Sequence, residues 1–368
     1  MSDTVARGPS VTLSGLIRAS YMTTGESGRR RLGLLKRLLL LPRSLRLTRV
    51  EFEIPDPAGA PCRAVYIGEV IALPYLLECF QASVLSYQPA AIPLHRLPAA
   101  VRQAAASHPL VITDVNRCLQ RLLPLGGWST SPWIRQELRL GSPFHALCHP
   151  HVERNYGRLV RKHGFRGVIT RDPGEIERFY SDFYLPYVAS RHGDGAILQS
   201  RAELRLQPRS TFLMQVFDGE RWLAGVLATA SGSRLRILAA GAHPDAFPDL
   251  RRGCLSAAYY FLIRHAPSLG CHTVDFGGTR PHAGDGLYLY KRRWGAEAYS
   301  DPWHHTSLSL YLNSPDSPPA TVAQFLVQTS DGLSPLLSCI REELSNLPTP
   351  SLTSPEPSPV EAVSNPAL

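Results

Sequence analysis

The chain has 368 residues and a net charge of +9, with 44% hydrophobic and 19% charged residues, which fits a soluble globular protein long enough for two domains. It has no run of about 18 uncharged apolar residues and no apolar core followed by a cleavage site in its first twenty residues, so neither a membrane-spanning helix nor a secretory signal is predicted. The seven cysteines are scattered without a CxxC pair, which argues against a disulfide framework or a zinc ribbon and favours a cytoplasmic protein with reduced thiols.

Residues 1–49 form a predicted basic N-terminal arm, with ten basic side chains against Asp3 and Glu26. From Gly28 to Leu47, basic clusters alternate with leucine, a pattern typical of an amphipathic helix on an anionic membrane surface. A solvated leader, or a helix packed on its own protein, would carry the same pattern. An anionic membrane, at the inner membrane face, and tRNA are thus candidate partners of the arm. Stable DNA binding is not expected, because it would depend on charge alone.

Residues 50–150 are predicted to form a first α/β domain. Apolar runs predict strands over Ala64–Ile71, Leu110–Asp114 and Arg135–Leu140, and a helix is expected over Ala99–Ala106. Prolines between these runs mark loops.

Residues 151–312 are predicted to form a second domain. A basic helix ends at Gly164, a strand covers Phe165–Thr170, and a helix runs from Asp172 to about Arg191. The predicted elements after these are three strands joined by hairpin turns (Thr211–Phe217, Trp222–Ala230 and Arg234–Ala240), a helix (Leu250–Arg264), a strand (His272–Phe276), a glycine-rich loop (Gly277–Gly286), a helix (Leu287–Trp294) and a strand (His304–Leu312).

Residues 313–368 are dominated by Pro, Ser and Thr and are predicted to be a mostly disordered tail. Two short apolar pieces within it, Val322–Val327 and Leu336–Leu344, are candidate helices.

The second domain resembles the acetyltransferase-like domain of the CelD/Fem group within the GNAT superfamily. Members of that group read D-F-G-x-[ST], a short gap, and then an aromatic segment ending in [FY]-K-x-x-[FW]-G. The basic helix at Arg154–Gly164 and the aromatic helix at Phe179–Phe183 are also similar to theirs. The matching positions of the main motif are Asp275, Phe276, Gly277, Thr279, Tyr290, Lys291, Trp294 and Gly295.

The resemblance implies an α/β (α+β) fold of two tandem GNAT-like domains with mixed central sheets, the first degenerate. It also implies an N-acyltransferase that moves an acyl or aminoacyl group from a thioester or aminoacyl-tRNA to an amine. Relatives include peptidoglycan interpeptide-bridge transferases and proteins associated with exopolysaccharide synthesis. A non-catalytic GNAT-like binding protein of an envelope or polysaccharide assembly is the alternative.

In GNAT folds the central strands of the sheet splay apart, so that free backbone N–H groups face the reactive carbonyl, a form of oxyanion stabilisation. By resemblance, Ala239 and Ala240 would supply such groups here. Donor phosphates would lie at the N-terminus of the next helix, at Arg251, Arg252 and Gly253, where the usual R/Q-x-x-G-x-G/A loop is incomplete. An exposed first helical turn would explain the two arginines equally well.

Asp275, Tyr290 and Tyr288 are the candidate catalytic residues. Asp275 follows a strand, where it could bind the acceptor amine or act as base, or instead cap the glycine loop. Tyr288 and Tyr290 are candidates for the general acid, and their i, i+2 spacing allows only one of them to face the cleft.

Five further residues are candidates for substrate binding. Lys291 is one of three lysines in a chain with 36 arginines, so we expect it to contact an anionic portion of donor or acceptor, with an exposed helix lysine as the alternative. The others are Arg280, Gly277, Gly278 and Trp294.

No metal and no tightly bound cofactor are predicted, and acyl-CoA or another acyl donor is expected as co-substrate. A local cluster of His145, Cys148, His149 and His151 lacks a second ligand pair, so a polar loop is the preferred interpretation. G-x-G-x-x-G, Walker A and G-x-S-x-G patterns are absent, which argues against nucleotide sites of those types and against hydrolase chemistry.

Overall fold

A computed structural model describes residues 26–56, 60–123, 127–141, 152–192, 201, 210–313 and 318–345. In these ranges the strands are β1 (Arg46–Ile54), β2 (Cys62–Gly68), β3 (Ser83–Pro93), β4 (Leu110–Asn116), β5 (Trp128–Thr130), β6 (Ile134–Arg139), β7 (Arg166–Thr170), β8 (Thr211–Asp218), β9 (Arg221–Ser231), β10 (Arg234–Ala242), β11 (Thr273–Thr279), β12 (Glu297–Ser300), β13 (Thr306–Leu312), β14 (Leu326–Thr329) and β15 (Gly332–Pro335). The α-helices are α1 (Glu26–Leu39), α2 (Leu73–Phe80), α3 (Leu97–Ser107), α4 (Arg158–His163), α5 (Pro173–Arg178), α6 (Leu185–His192), α7 (Cys254–His265), α8 (Gly286–Arg293), α9 (Ala320–Ala323) and α10 (Leu336–Ser345).

The first sheet is mixed and has the strand order β3-β1-β2-β4-β13-β5. Its one parallel pair joins β2 and β4 without interruption from Ala64↔Leu110 to Gly68↔Asp114. Alternating apolar residues fill both faces, since Tyr66 and Ile112 pack in one core while Val65 and Val111 pack in another.

The second sheet is also mixed and has the order β12-β6-β11-β10-β9-β8-β7. Strands β7 to β10 are consecutive antiparallel neighbours, and β11 lies parallel to β10 after the crossover through α7. Such a crossover covers one face of a sheet, and α7 contributes Ala258, Leu262 and Ile263 to the largest apolar core of the described residues. The other face is covered by Phe179 and Phe183, which lie in the π-helical turn that joins α5 to α6 (Phe179–Tyr184).

The two halves of the chain exchange strands. β6 lies in the second sheet between β11 and β12, and β13 lies in the first sheet between β4 and β5. The two exchanges are equivalent. In each sheet the donated strand lies beside the second strand of the parallel pair: β13 beside β4, and β6 beside β11. The sheets therefore do not divide at the predicted boundary between residues 150 and 151: residues 134–139 belong with the second sheet and residues 306–312 with the first.

The segment predicted as a mostly disordered tail is ordered over residues 318–345. The predicted helix at Val322–Val327 is instead the end of α9 followed by β14, which pairs with β15, whereas the second apolar piece does form a helix, α10. Val322, Phe325 and Leu336 are fully buried in the core of the first sheet. The apolar pieces that contain these residues are too short to be recognised as elements among the surrounding Pro and Ser. They are stabilised by packing on the core of the first sheet.

The predicted fold class, α/β with two mixed sheets, is confirmed. The portion of the arm that the structure describes forms α1, a 3-10 turn (Leu41–Leu45) and the start of β1. No helix among the described residues is long and apolar enough to cross a membrane. Residues 1–25, the cluster at residues 145–151 and the tail beyond residue 345 lie outside the described residues.

Candidate functional site: the fork between β10 and β11

The central strands of the second sheet diverge in their middle. β10 and β11 are paired only from Arg234↔Thr273 to Arg236↔Asp275, although both strands continue beyond these residues. From Ile237 onward β10 remains paired with β9 on one side, and no strand among the described residues pairs with it on the other. The two strands that were predicted to part therefore do so after three residue pairs.

Irregularities in both strands account for the fork. β10 is bulged at Leu238, which lies between Ile237 and Ala239 in the register with β9. β11 is bulged at the same level, between Asp275 and Gly278 in its register with β6, and Gly277 there has φ of 80°. A bulge bends its strand and interrupts pairing, so two bulges facing each other direct the strands apart. The positive φ explains why glycine occupies position 277.

Asp275 lies at the base of the fork and is fully buried. Arg135 donates to both of its carboxylate oxygens, at 2.9 and 2.8 Å, and Arg236 Nε donates to Oδ2 at 3.1 Å. Gly277 N–H donates to Oδ1 at 2.9 Å. Burial alone would raise the pKa of Asp275, but the charges of the two arginines outweigh it and hold the pKa well below its ordinary value. A carboxylate held this way is a poor base, and the geometry favours the capping role over the catalytic one.

Lys291 extends from α8 beneath the end of β11. Its Nζ donates to the carbonyl oxygen of Gly278 at 2.9 Å, and the residue is only 3% exposed. Burial, together with the nearby charge of Arg135, lowers the pKa of Lys291 to about 7. The side chain thus holds the glycine turn in place rather than lying exposed on its helix.

Tyr290 is the tyrosine of α8 that lies at the fork. Its hydroxyl is 3.4 Å from Ser256 Oγ in the first turns of α7, and its ring meets that of Tyr259 edge-on at 5.7 Å. Tyr259 in turn stacks on Phe276, the first residue of β11 beyond the paired segment. Burial raises the pKa of Tyr290, so its phenol stays protonated through the physiological range.

Tyr288 points elsewhere, as the i, i+2 spacing requires. It packs with Ile134 of β6 and Leu326 of β14, and its hydroxyl accepts a hydrogen bond from Arg292 at 3.2 Å. These contacts lie on another side of α8, so Tyr288 is separated from the fork.

The helix predicted over Leu250–Arg264 begins at Cys254, so Arg251 and Arg252 lie in a 3-10 turn before α7 (Pro248–Arg252) and not in its first turn. Gly253 has φ of 89°, and a Cβ there would lie 2.9 Å from Leu159 Cδ1. Arg251 is exposed. Arg252 instead forms ion pairs with Asp249 at 2.8 Å and Asp218 at 3.1 Å, which engage its guanidinium in structural contacts.

Two other predicted binding residues have structural contacts. Arg280 Nη1 donates to Glu78 Oε1 at 3.1 Å and thereby joins the glycine loop to α2. Trp294 is fully buried and stacks on Tyr156 at 4.1 Å, in the core beside Tyr290. Gly278 is exposed at the tip of β11.

Sequence reasoning missed Arg135, Arg236 and Ser256. Arg135 lies 140 residues from its partner Asp275, and it reaches the fork only because β6 is donated to the second sheet. Arg236 was easier to recognise from the sequence than Arg135. An arginine at an inward position of a largely apolar strand requires a buried acidic partner. Among the described residues, no group of three or more His, Cys, Asp or Glu could hold a metal ion.

Comparisons with known proteins give distant structural likenesses only. No protein-family model matches the chain, and no curated protein matches it. Among solved structures, the chain is similar to L-PGS from Bacillus licheniformis (10% identity, 78% of this chain and 92% of that one, TM-score 0.35). It is also similar to FemX (15% identity, 71% and 83%, TM-score 0.38) and to a GCN5-related N-acetyltransferase from Kribbella flavida (12% identity, 76% and 93%, TM-score 0.28). At TM-scores below 0.5 these likenesses carry no weight for function, which has to be inferred from the fork itself.

Proposed function

We propose that the chain is an N-acyltransferase whose acyl donor binds in the fork between β10 and β11. The observation that carries the proposal is the contrast between the two parallel strand pairs: β2 and β4 are joined over five residue pairs, whereas β10 and β11 separate after three. An unpaired strand edge is costly in a folded protein unless something else satisfies it. A ligand with a carbonyl acceptor is the partner that such an edge fits.

The donor carbonyl oxygen would accept hydrogen bonds from main-chain N–H groups of β10 near Ala239 and Ala240. These donors strengthen their bonds as the oxygen becomes an oxyanion, which stabilises the transition state. The neutral amine attacks the carbonyl carbon and forms the C–N bond. Collapse of the tetrahedral intermediate then breaks the bond to the thiolate or alkoxide, and the extra amine proton passes to solvent.

Tyr290 would supply the proton that the leaving thiolate or alkoxide needs. Its raised pKa keeps the phenol protonated, and Ser256, whose Oγ lies 3.4 Å from the phenol oxygen, would relay a proton from solvent to Tyr290 after the transfer. Asp275 and Lys291 would act as positioning residues, because one caps the turn at Gly277 and the other holds the carbonyl of Gly278.

The donor class remains a choice between a thioester, such as acyl-CoA, and an aminoacyl-tRNA. Exposed Arg251, in the 3-10 turn just before α7, suits the phosphates of either. An amine of an envelope or exopolysaccharide precursor is the acceptor class we would test first, on the resemblance of residues 150–312 alone.

The test is isothermal titration of the protein with acyl-CoA and aminoacyl-tRNA panels, followed by mass spectrometry of mixtures with amine acceptors. We expect saturable binding of one donor class and a product heavier by the acyl group. Binding should be weakened by Gly253→Val, which fills the space next to Leu159 at the start of α7, and unaffected by Gly219→Ala in the distant β8–β9 turn. Absence of binding by every donor would overturn the proposal.

A non-catalytic binding protein is the second candidate, and the ion pairs of Arg252 favour it. Arginine engaged by Asp249 and Asp218 is not free to bind a phosphate, which leaves the donor loop incomplete. This candidate predicts that a ligand binds at the fork while no acyl transfer occurs, and that Tyr290→Phe leaves the affinity unchanged.

A further inference from the structure

A surface of exposed leucines lies on α1 and the 3-10 turn that follows it (Leu41–Leu45). Large apolar side chains that are half exposed are unusual when they are contiguous, and such patches mark interaction sites. We call this set the leucine surface; its members and their exposed fractions are Leu34 (50%), Leu35 (46%), Leu38 (54%), Leu39 (56%) and Leu45 (58%).

The orientation of α1 differs from that of an ordinary surface helix, because two of its cations, Lys36 and Arg37, face the protein. Lys36 Nζ lies 3.9 Å from the ring centroid of Trp303 and donates to its carbonyl oxygen at 3.3 Å. Arg37 donates to the carbonyl oxygen of Pro302 at 3.2 Å. Gly33 packs so closely on Pro302 that an added Cβ would lie 2.7 Å from the same oxygen. The helix is thus held on one side, and its leucines are directed outward.

The leucine surface is bordered by positive charge. Arg31, Arg43 and Arg46 are exposed around it, and the sequence from Ser27 to Val50 contains no acidic residue. A leucine face flanked by arginines is the combination that lies at the boundary between headgroups and acyl chains of an anionic bilayer. RNA would use the arginines but leave the leucines unexplained, since single-stranded nucleic acid is bound through aromatic stacking and α1 has no aromatic residue.

We propose that the leucine surface docks the protein on an anionic membrane, with the leucines in the interface and the flanking arginines on the lipid headgroups. This inference is independent of acyl transfer, because none of its residues lies at the fork.

Vesicle co-sedimentation of the full chain tests the proposal. The probes are vesicles of phosphatidylcholine alone and vesicles with a third of phosphatidylglycerol. We expect binding to the anionic vesicles that weakens with salt, and roughly tenfold weaker binding for the quadruple variant L34Q/L35Q/L38Q/L39Q. Glutamine keeps the helix propensity, and the four leucines are about half exposed rather than buried in a core, so the variant should fold.

The matched control is V84Q/L85Q, which changes two equally exposed apolar residues on edge strand β3 and should bind vesicles like the wild type. Wild-type protein that does not bind anionic vesicles, or a quadruple variant that binds them as well as the wild type, overturns the proposal. Wild-type protein that binds tRNA but no vesicles, with a quadruple variant that binds tRNA equally well, would overturn membrane docking and assign nucleic-acid binding to the flanking arginines.

Discussion

Arg236 and Asp275 are the last residue pair that joins β10 to β11, and their side chains form an ion pair at 3.1 Å at that same point. The pair marks where the sheet changes from continuous to forked. Because Arg135 binds the same carboxylate from donated strand β6, three strands are joined at the base of the fork by one buried acid.

Asp275→Asn should destabilise the protein by about 3–5 kcal/mol, because it removes the buried charge that pairs with both Arg135 and Arg236, while Asp301 still lies 3.6 Å from Arg135. Chemical denaturation measures the change in the free energy of unfolding. Asp182→Asn, which removes an exposed i, i+4 partner of Arg178, is the matched control and should cost less than about 0.5 kcal/mol. Equal small losses in the two variants would mean that Asp275 does not hold the fork together.

Stability should rise with pH above 7 through Lys291. The pKa of its amine is lowered to about 7 in the folded state from 10.5, so between these values the unfolded chain binds a proton that the native state does not. The free energy of unfolding therefore increases with pH across this window, by at most about 1.4 kcal/mol per pH unit. Denaturation curves at pH 7, 8 and 9 for the wild type and Lys291→Met isolate this contribution. Parallel pH dependences in the two proteins would refute the lowered pKa.

Tyr290→Phe should reduce kcat by roughly 10²- to 10⁴-fold with little change in KM, if its phenol protonates the leaving group. Tyr288→Phe is the matched control on the same helix and should retain near wild-type kcat, since its hydroxyl contacts Arg292 away from the fork. Steady-state kinetics with the donor identified by titration measures both. A similar effect of the two substitutions would exclude Tyr290 as the acid.

A fragment of residues 152–312 should not fold cooperatively, because it lacks β6. That strand separates β11 from β12 and supplies Arg135 to Asp275. Thermal unfolding followed by near-ultraviolet circular dichroism should show no sharp transition, whereas a fragment of residues 127–312, which carries β6, should regain one. A sharp transition in the shorter fragment would show that the exchange of strands is dispensable.

The sequence was most informative where structure is local. The hairpins from Thr211 to Ala240 follow from alternating apolar residues and glycine turns, and the observed strands β8, β9 and β10 agree with the predicted ones to within about two residues. The resemblance to GNAT folds predicted the fork. Helical spacing predicted that only one of Tyr288 and Tyr290 faces the cleft, but not which one.

Long-range pairing was not accessible in this way. The strand predicted at Arg135–Leu140 contains nothing that selects between two sheets of similar architecture, since side-chain alternation is the same in both. Arg135 reaches Asp275 only because β6 pairs in the second sheet, so the structural role of Asp275 could not be predicted either. The ordered segment at 318–345 was missed for a related reason, because its short apolar pieces are stabilised by a core formed elsewhere in the chain.

Backbone amide hydrogen exchange at β10, with and without donor, tests the central claim most directly. The amides of residues 238–242 that face β11 have no strand partner among the described residues, so they should exchange much faster than those of β2 and β4 in the free protein. Addition of the cognate acyl donor should slow them by at least about tenfold while β2 and β4 remain unchanged. Amides at 238–242 that are already protected, or that no acyl donor protects, would contradict a carbonyl-binding fork.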